Sequence, residues 1–375
     1  MINVGFIGLG KLGLPCAEVM VNKGHNVKGY DISDVASDLI DMKNSIAETV
    51  VDTDIVFIAV PTPHEPNYDG RSPTSHLEPK DFSYTIVKKC IKEANKFMTK
   101  DQLLVLISTV LPGTTRKEFI PLITNTRFVY NPYLIAMGTV SWDMVNPEMV
   151  MIGTEDGSLT GDAEELVRFY KTIMQNYPRY EIGTWDECEC IKVFYNTFIS
   201  TKIGFVNMIQ DVAQKQGNID VDVVTNALTM STKRIISSAY MKAGMGDGGT
   251  CHPRDNIALR YMSKELNLGY DLFGTIMQAR EQQAKNMAIE ILKYGNTVQF
   301  SSDSYKKDLD MVDGSYSLLV QHYIEELNGW IVNQRPMVYV LVHEGDPVPS
   351  NVLVFDPWRS YTGPNPYISY GKKNG

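Results

Sequence analysis

Asn3-Val4-Gly5-Phe6-Ile7-Gly8-Leu9-Gly10-Lys11-Leu12-Gly13-Leu14-Pro15 decides the fold of this 375-residue chain. The apolar run Asn3–Ile7 reads as a buried strand, and glycines at 8, 10 and 13 separate it from the helical stretch Leu14–Lys23. Gly8 permits a tight turn, Gly10 lets the backbone approach a pyrophosphate, and Gly13 lets the helix pack closely on the strand. The first turn, through Lys11 and Leu12, presents unpaired N–H groups and a partial positive charge to the phosphates. Asp31 ends the next strand, 18 residues after Gly13. A carboxylate there accepts hydrogen bonds from an adenosine ribose and repels a 2′-phosphate. A GxGxxG alone is a weak signal, but the strand before it, the helix after it and Asp31 make it specific. The pattern points to NAD rather than NADP, with FAD the alternative dinucleotide.

Outward from this turn, continuous apolar runs continue at Asn26–Asp31, Ile55–Val60, Leu103–Thr109, Phe128–Tyr130 and Met149–Gly153, with a helical stretch at Phe82–Met98. Runs that do not alternate are those of strands covered by helices on both faces of a parallel sheet. The first 185 residues are therefore expected to form an α/β, doubly wound, Rossmann-type domain. From Asp186 the character is helical: Glu187–Gln216, Val221–Leu228, Asp255–Leu266 and Tyr270–Tyr294, giving a central helical domain over 186–295. Strands return at Val298–Ser301, Val338–His343 and Asn351–Phe355 around a helix at Ser315–Leu327. Residues 296–375 thus read as a reduced α/β domain with an irregular tail after Asp356.

The formal charge of −9 disfavours a broad nucleic-acid-binding face, while a local Lys/Arg cluster can still hold a phosphate. No apolar run reaches membrane-spanning length, and no secretory signal opens the chain. Five scattered cysteines do not form a disulfide framework, so a cytoplasmic setting is expected. Cys188 and Cys190 lack a second Cys/His pair at ligand spacing, and no metal is expected. His64, His76 and Asp69-Gly70 fall in a polar loop after the third strand and read as turn or cofactor-edge residues rather than catalytic ones.

Two further motifs carry chemistry. Asp247-Gly248-Gly249-Thr250-Cys251-His252-Pro253-Arg254-Asp255 puts a cysteine after a glycine turn, at the start of a helix and beside an arginine. That setting depresses a thiol pKa and makes Cys251 a candidate nucleophile. Lys192 and Asn196 stand four apart on one helix face. Such a pair is ordinarily only a solvated face; in a pocket, the ammonium stabilises an oxyanion and the amide positions a water.

The chain resembles the UDP-glucose/GDP-mannose dehydrogenase family. The resemblance rests on the glycine turn, Ala59-Val60-Pro61-Thr62-Pro63, Ser108-Thr109-Val110-Leu111-Pro112-Gly113-Thr114, Lys192 with Asn196, Gly249-Thr250-Cys251-His252-Pro253-Arg254-Asp255, and Tyr305-Lys306-Lys307-Asp308 with Ser315. It implies a homodimer that oxidises the C6 alcohol of a nucleotide sugar, a UDP-sugar by family frequency, to the uronic acid with two NAD. Cys251 would carry the thiohemiacetal and thioester, Lys192 would stabilise oxyanions, and Asn196 and Asp255 would hold or activate a water, assisted by Thr109. Val60, Pro61, Thr62 and Thr109 would meet the cofactor. Tyr133, Leu134, Lys192, Asn196, Arg234, Lys242, Gly248 and Lys306 would meet the substrate, Arg234 from across the subunit interface.

The chain departs from that pattern where Tyr133 and Met137 replace glutamates, and a phenol is a poor base at neutral pH. Asp313 stands where an arginine serving the cofactor is expected. Two other readings stay open: a β-hydroxyacid or 6-phosphogluconate-type dehydrogenase using Lys192 and Asn196 without a cysteine, and a non-catalytic nucleotide-sugar binder.

Overall fold

The computed structural model describes residues 1–63, 73, 76–78, 80–136, 138–237, 242–245, 251–308 and 311–371. Its chain divides into two units, Met1–Lys202 and Ile203–Gly375. The first unit runs β1 (Asn3–Ile7), α1 (Gly13–Asn22), β2 (Asn26–Tyr30), β3 (Asp41–Met42), α2 (Ile46–Val50), β4 (Ile55–Ile58), α3 (Thr85–Phe97) and β5 (Leu103–Leu106). It continues with β6 (Arg127–Tyr130), α4 (Val140–Val145), β7 (Met149–Thr154), α5 (Asp162–Lys171), β8 (Arg179–Thr184) and the first half of the long helix α6 (Trp185–Gln216), whose residues from Ile203 onward belong to the second unit.

The strands lie in the order β3-β2-β1-β4-β5-β6-β7-β8. All neighbours are parallel except β6 and β7, which meet at Tyr130 and Gly153. Every residue of β4 and β5 is buried, which is why their sequences are unbroken apolar runs. Because side chains alternate across a strand, the two faces feed two cores. Val4, Phe6, Phe57 and Val105 pack with residues of α1, α4 and α5. Ile7, Val56, Ile58 and Leu104 pack with residues of α2 and α3 and with Trp185 and Cys188. Chain order reverses between β1 and β4, so a crevice opens beyond their carboxyl ends, where open α/β sheets bind ligands. Helix α5 and strand β8 were not among the expected elements. β8 is a charged edge strand, Arg-Tyr-Glu-Ile-Gly-Thr, whose only fully buried position is Gly183. It is held by its full register with β7 rather than by an apolar signal of its own.

The second unit contains α7 (Val221–Thr229), α8 (Cys251–Glu265), α9 (Leu272–Leu292), β9 (Thr297–Phe300), α10 (Tyr316–Glu326), β10 (Trp330–Ile331), β11 (Val338–Val340), β12 (Leu353–Asp356) and β13 (Tyr367–Ser369). Its sheet runs β10-β9-β11-β12-β13, all parallel. Ala284, Met287, Ala288 and Ile291 of α9 and Val320 and Ile324 of α10 pack on Val298, Val338, Val340 and Phe355. The tail is not wholly irregular, as the sequence led us to expect. The buried Asp356 carboxylate accepts the N–H groups of Trp358, Ser360 and Tyr361 and turns the chain. Residues 367–369 then pair with β12 as a fifth strand. Among the described residues, no helix is long and apolar enough to cross a membrane.

Candidate active site

The glycine turn leads from β1 into α1. Gly8 has φ +94°, the left-handed region, and a Cβ there would lie 2.7 Å from the Ala59 carbonyl oxygen. A Cβ on Gly13 would lie 1.9 Å from the Gly8 carbonyl oxygen. At Gly10 the contrast is complete, since nothing lies within 4 Å of an added Cβ. Two glycines therefore let the turn fold on itself, and the third leaves bare backbone over open space. The Asp31 carboxylate fastens the turn, accepting Leu9 N–H at 2.7 Å and Ser33 N–H at 2.8 Å.

Facing the turn are the segments that follow β4 and β5. Ser108 Oγ donates to the Val60 carbonyl at 2.5 Å, and Thr62 Oγ1 donates to the Thr109 carbonyl at 2.7 Å. These reciprocal bonds replace the strand ladder, which ends at Ile58 and Leu106, and so β5 stops short of the expected Thr109. The result is a cleft of about 480 Å³ lined by Gly10, Lys11, Leu12, Gly13, Val60, Pro61, Thr109, Tyr133 and Lys192, among others. Its bare backbone, helix start and adjacent carboxylate fit a dinucleotide. Thr62 stands beside this lining through its bond to Thr109.

The first turns of α6 carry one stripe from core to cleft. Trp185, Cys188, Glu189, Lys192, Asn196 and Ile199 recur at three- and four-residue spacing and share a face. Trp185, Cys188 and Glu189 are buried, Lys192 is half-buried and Asn196 is exposed. The Glu189 carboxylate accepts Gly113 N–H at 2.6 Å and Thr115 N–H at 2.7 Å, tying the helix to the loop beyond Thr109. Burial pushes its pKa up, and the bonds from Thr115 and Gly113 oppose that rise. Sequence reading passed over Glu189, whose only trace was an acid set between the apolar Trp185 and Cys188 and the Lys192–Asn196 pair on one helix face.

Lys192 Nζ donates to the main-chain carbonyl of Tyr133 at 2.8 Å. Burial lowers its pKa from the ordinary lysine value. Lys192 also lines a second cleft, of about 580 Å³, with Leu134, Ile135, Trp142, Asp143, Glu148, Tyr195 and Asn196. The two clefts thus share Lys192 and Ile135.

The Tyr133 side chain goes the other way. Its hydroxyl lies 2.7 Å from that of the buried Tyr170, which donates in turn to Asn131 Oδ1. Burial drives the Tyr133 phenol well above its ordinary range. In the second cleft the carboxylates are Asp143 and Glu148. Asp143 Oδ2 accepts Ala136 N–H and the Thr139 hydroxyl, while Glu148 Oε2 accepts the Tyr195 hydroxyl at 2.8 Å.

The remaining sequence candidates lie in the second unit. Cys251 opens α8, which contains Asp255, and nothing further is described of either side chain. Gly248 falls outside the described residues, as does Met137 in the first unit. Arg234 is exposed in the turns after α7. Lys242 is ion-paired with Glu344, Lys306 is exposed, and the neighbouring Lys307 donates to the Glu344 carbonyl at 2.9 Å.

Comparison with known proteins agrees with this arrangement. Residues 33–174 match the NAD-binding domain, and residues 186–282 the central domain, of the UDP-glucose/GDP-mannose dehydrogenase family. The chain is 27% identical to the GDP-mannose 6-dehydrogenase of Pseudomonas aeruginosa, over 76% of this chain and 69% of that one. It is 24% identical to a UDP-glucose 6-dehydrogenase of Bacillus subtilis, over 90% of this chain and 80% of that one. Its fold matches a ternary complex of GDP-mannose dehydrogenase from Pseudomonas aeruginosa with a TM-score of 0.81, covering 98% and 99% of the two chains at 20% identity. The glycine-turn cleft, the Lys192 stripe and these matches together place the chain in the UDP-glucose/GDP-mannose dehydrogenase family, with NAD as its cofactor.

Proposed function

We propose that the protein oxidises the C6 alcohol of a nucleotide sugar to the uronic acid in two NAD-dependent steps. The observation that carries this reading is Lys192, which lines both the glycine-turn cleft and the second cleft beside Asn196. UDP-sugars and GDP-mannose are the substrates to try first, since relatives acting on each resemble the chain to a similar degree. A homodimer of three domains, divided near residues 185 and 295, belongs to the same reading.

NAD, when bound, accepts the hydride that leaves C6 in each oxidation. Gly8, Gly10, Lys11, Leu12, Gly13 and Asp31 would hold it, with Val60, Pro61, Thr62 and Thr109 along its nicotinamide half. The Lys192 ammonium stabilises the alkoxide as the alcohol loses its proton to a water held by Asn196 and Asp255. The Cys251 thiolate then adds to the aldehyde carbon and forms a C–S bond. Lys192 stabilises the oxyanion of that adduct, and loss of the second hydride leaves a thioester. Water attacks the thioester carbon, the C–S bond breaks, and the thiolate is regenerated. Thr109 orients that water, while Leu134 and the Tyr133 main chain border the sugar. Gly248, Arg234, Lys242 and Lys306 serve the remainder of the sugar nucleotide, and on this reading the abbreviated sheet of the second unit is the seat of the nucleotide.

The test is Cys251→Ser assayed with nucleotide sugars. The variant should retain NAD binding and lose acid formation. Unchanged acid formation would sink the covalent mechanism and favour a hydroxyacid-type enzyme acting through Lys192 and Asn196 alone.

A further inference from the structure

The proposed thioester needs a base to activate the attacking water, and the phenol of Tyr133 points into the core instead of the second cleft. Among the described residues, the carboxylates lining the cleft beside Lys192 and Asn196 are Asp143 and Glu148. Asp143 is committed to its own loop, because Oδ2 accepts both Ala136 N–H at 2.9 Å and the Thr139 hydroxyl at 2.7 Å. Glu148 is not spent in this way. Its Oε2 accepts the hydroxyl of Tyr195, which stands between Lys192 and Asn196 on α6.

The Tyr195 bond tethers the Glu148 carboxylate to the helix that carries Lys192 and Asn196, so the three groups have a common support. Asn196 and Glu148 are both exposed and line the same cleft, so solvent reaches both side chains. Burial matters less here than reach: a general base must lie within hydrogen-bond distance of the water it activates, directly or through one further water.

We infer that Glu148 is the general base of the hydrolytic step, oriented by Tyr195. This rests on the reading of the protein as a dehydrogenase that passes through a Cys251 thioester. Glu148 takes a proton from water as the water oxygen bonds to the thioester carbon. The resulting oxyanion collapses, the C–S bond breaks with its electron pair on sulfur, and the carboxylic acid leaves.

Glu148→Gln tests this in the full-length enzyme, with Glu148→Asp as the conservative control. With NAD and a nucleotide sugar that wild type converts to acid, E148Q should give a burst of about two NADH per active site and then stall. Its steady-state rate should fall by roughly a hundredfold or more, the usual worth of a general base. Mass spectrometry should find the acyl adduct on the peptide containing Cys251. Hydroxylamine, a nucleophile that needs no base, should restart NADH formation and yield a hydroxamate, whereas E148D should recover part of the water-dependent rate. Near-normal acid formation by E148Q would overturn the assignment and leave the parent mechanism standing. Absence of the burst in E148Q, with wild type active, would also overturn it by placing Glu148 before hydrolysis. No NADH from wild type with any nucleotide sugar would remove the parent reading itself.

Discussion

Lys192 Nζ donates to the main-chain carbonyl of Tyr133 at 2.8 Å, so the ammonium is held by the segment that follows β6 while it faces two clefts. The bond fixes the position of the charge without neutralising it. A carboxylate in the same place would form an ion pair and blunt the stabilisation of an alkoxide.

Replacement of Lys192 by Met should lower kcat/KM by roughly a hundredfold to a thousandfold, the range seen when one oxyanion donor is removed. The affinity for NAD, measured by calorimetry, should change far less. Burial lowers the Lys192 pKa, and the positive form is the one that stabilises the alkoxide. Activity should therefore fall as pH rises through a value below that of free lysine. In Lys192→Arg that alkaline limb should move upward, because a guanidinium keeps its proton there.

Gly13→Ala puts a methyl group 1.9 Å from the Gly8 carbonyl oxygen, so the glycine turn must move. Overpacking of this kind costs about 1–3 kcal/mol, which corresponds to a loss of roughly fivefold to 150-fold in NAD affinity if the strain falls on the turn. Thermal denaturation with and without NAD measures it: NAD should raise the melting temperature of wild type distinctly more than that of the variant. Equal shifts would mean the turn does not hold the dinucleotide.

Glu189 predicts a pH dependence of stability. Burial raises its pKa in the folded protein, so between the unfolded and folded values the native state binds more protons than the unfolded chain. This contribution is complete below the unfolded value and is lost as pH rises through the folded value. Glu189→Gln should flatten that slope in urea titrations. Glu189→Ala leaves the Gly113 and Thr115 N–H groups unpaired and should cost about 2–6 kcal/mol, at about 1–3 for each donor.

Tyr133→Phe removes a hydroxyl from the buried chain that runs through Tyr170 to Asn131. A loss of about 1–2 kcal/mol in urea titrations is expected. Because the phenol lies away from the second cleft, the hydrolytic step should suffer less than in Glu148→Gln. Comparison of acid formation by the two variants checks this directly.

Much of the first sheet was legible because its signals are local. The unbroken apolar runs of β1, β4 and β5 and the three glycines carry their own physical reasons. Lys192 and Asn196 were legible as a helical pair, but their cleft was not, since it depends on residues 134–148 arriving from another segment. Glu148 carried no mark in the sequence. It precedes an apolar strand and reads as an ordinary surface acid until Tyr195 is brought against it. Tyr133 shows the opposite failure: its position in the chain pointed to the substrate, while the fold turned its hydroxyl into the core. The tail strand β13 was hidden because three residues pairing at a sheet edge leave no periodic pattern.

The central claim is four-electron oxidation of a nucleotide sugar. Its most direct test is NADH formation with a panel of UDP- and GDP-sugars, counted against substrate consumed, with the product identified. The account predicts two NADH per sugar and a uronic acid. One NADH per sugar with an aldehyde or ketone product, or no NADH with any nucleotide sugar, would contradict it.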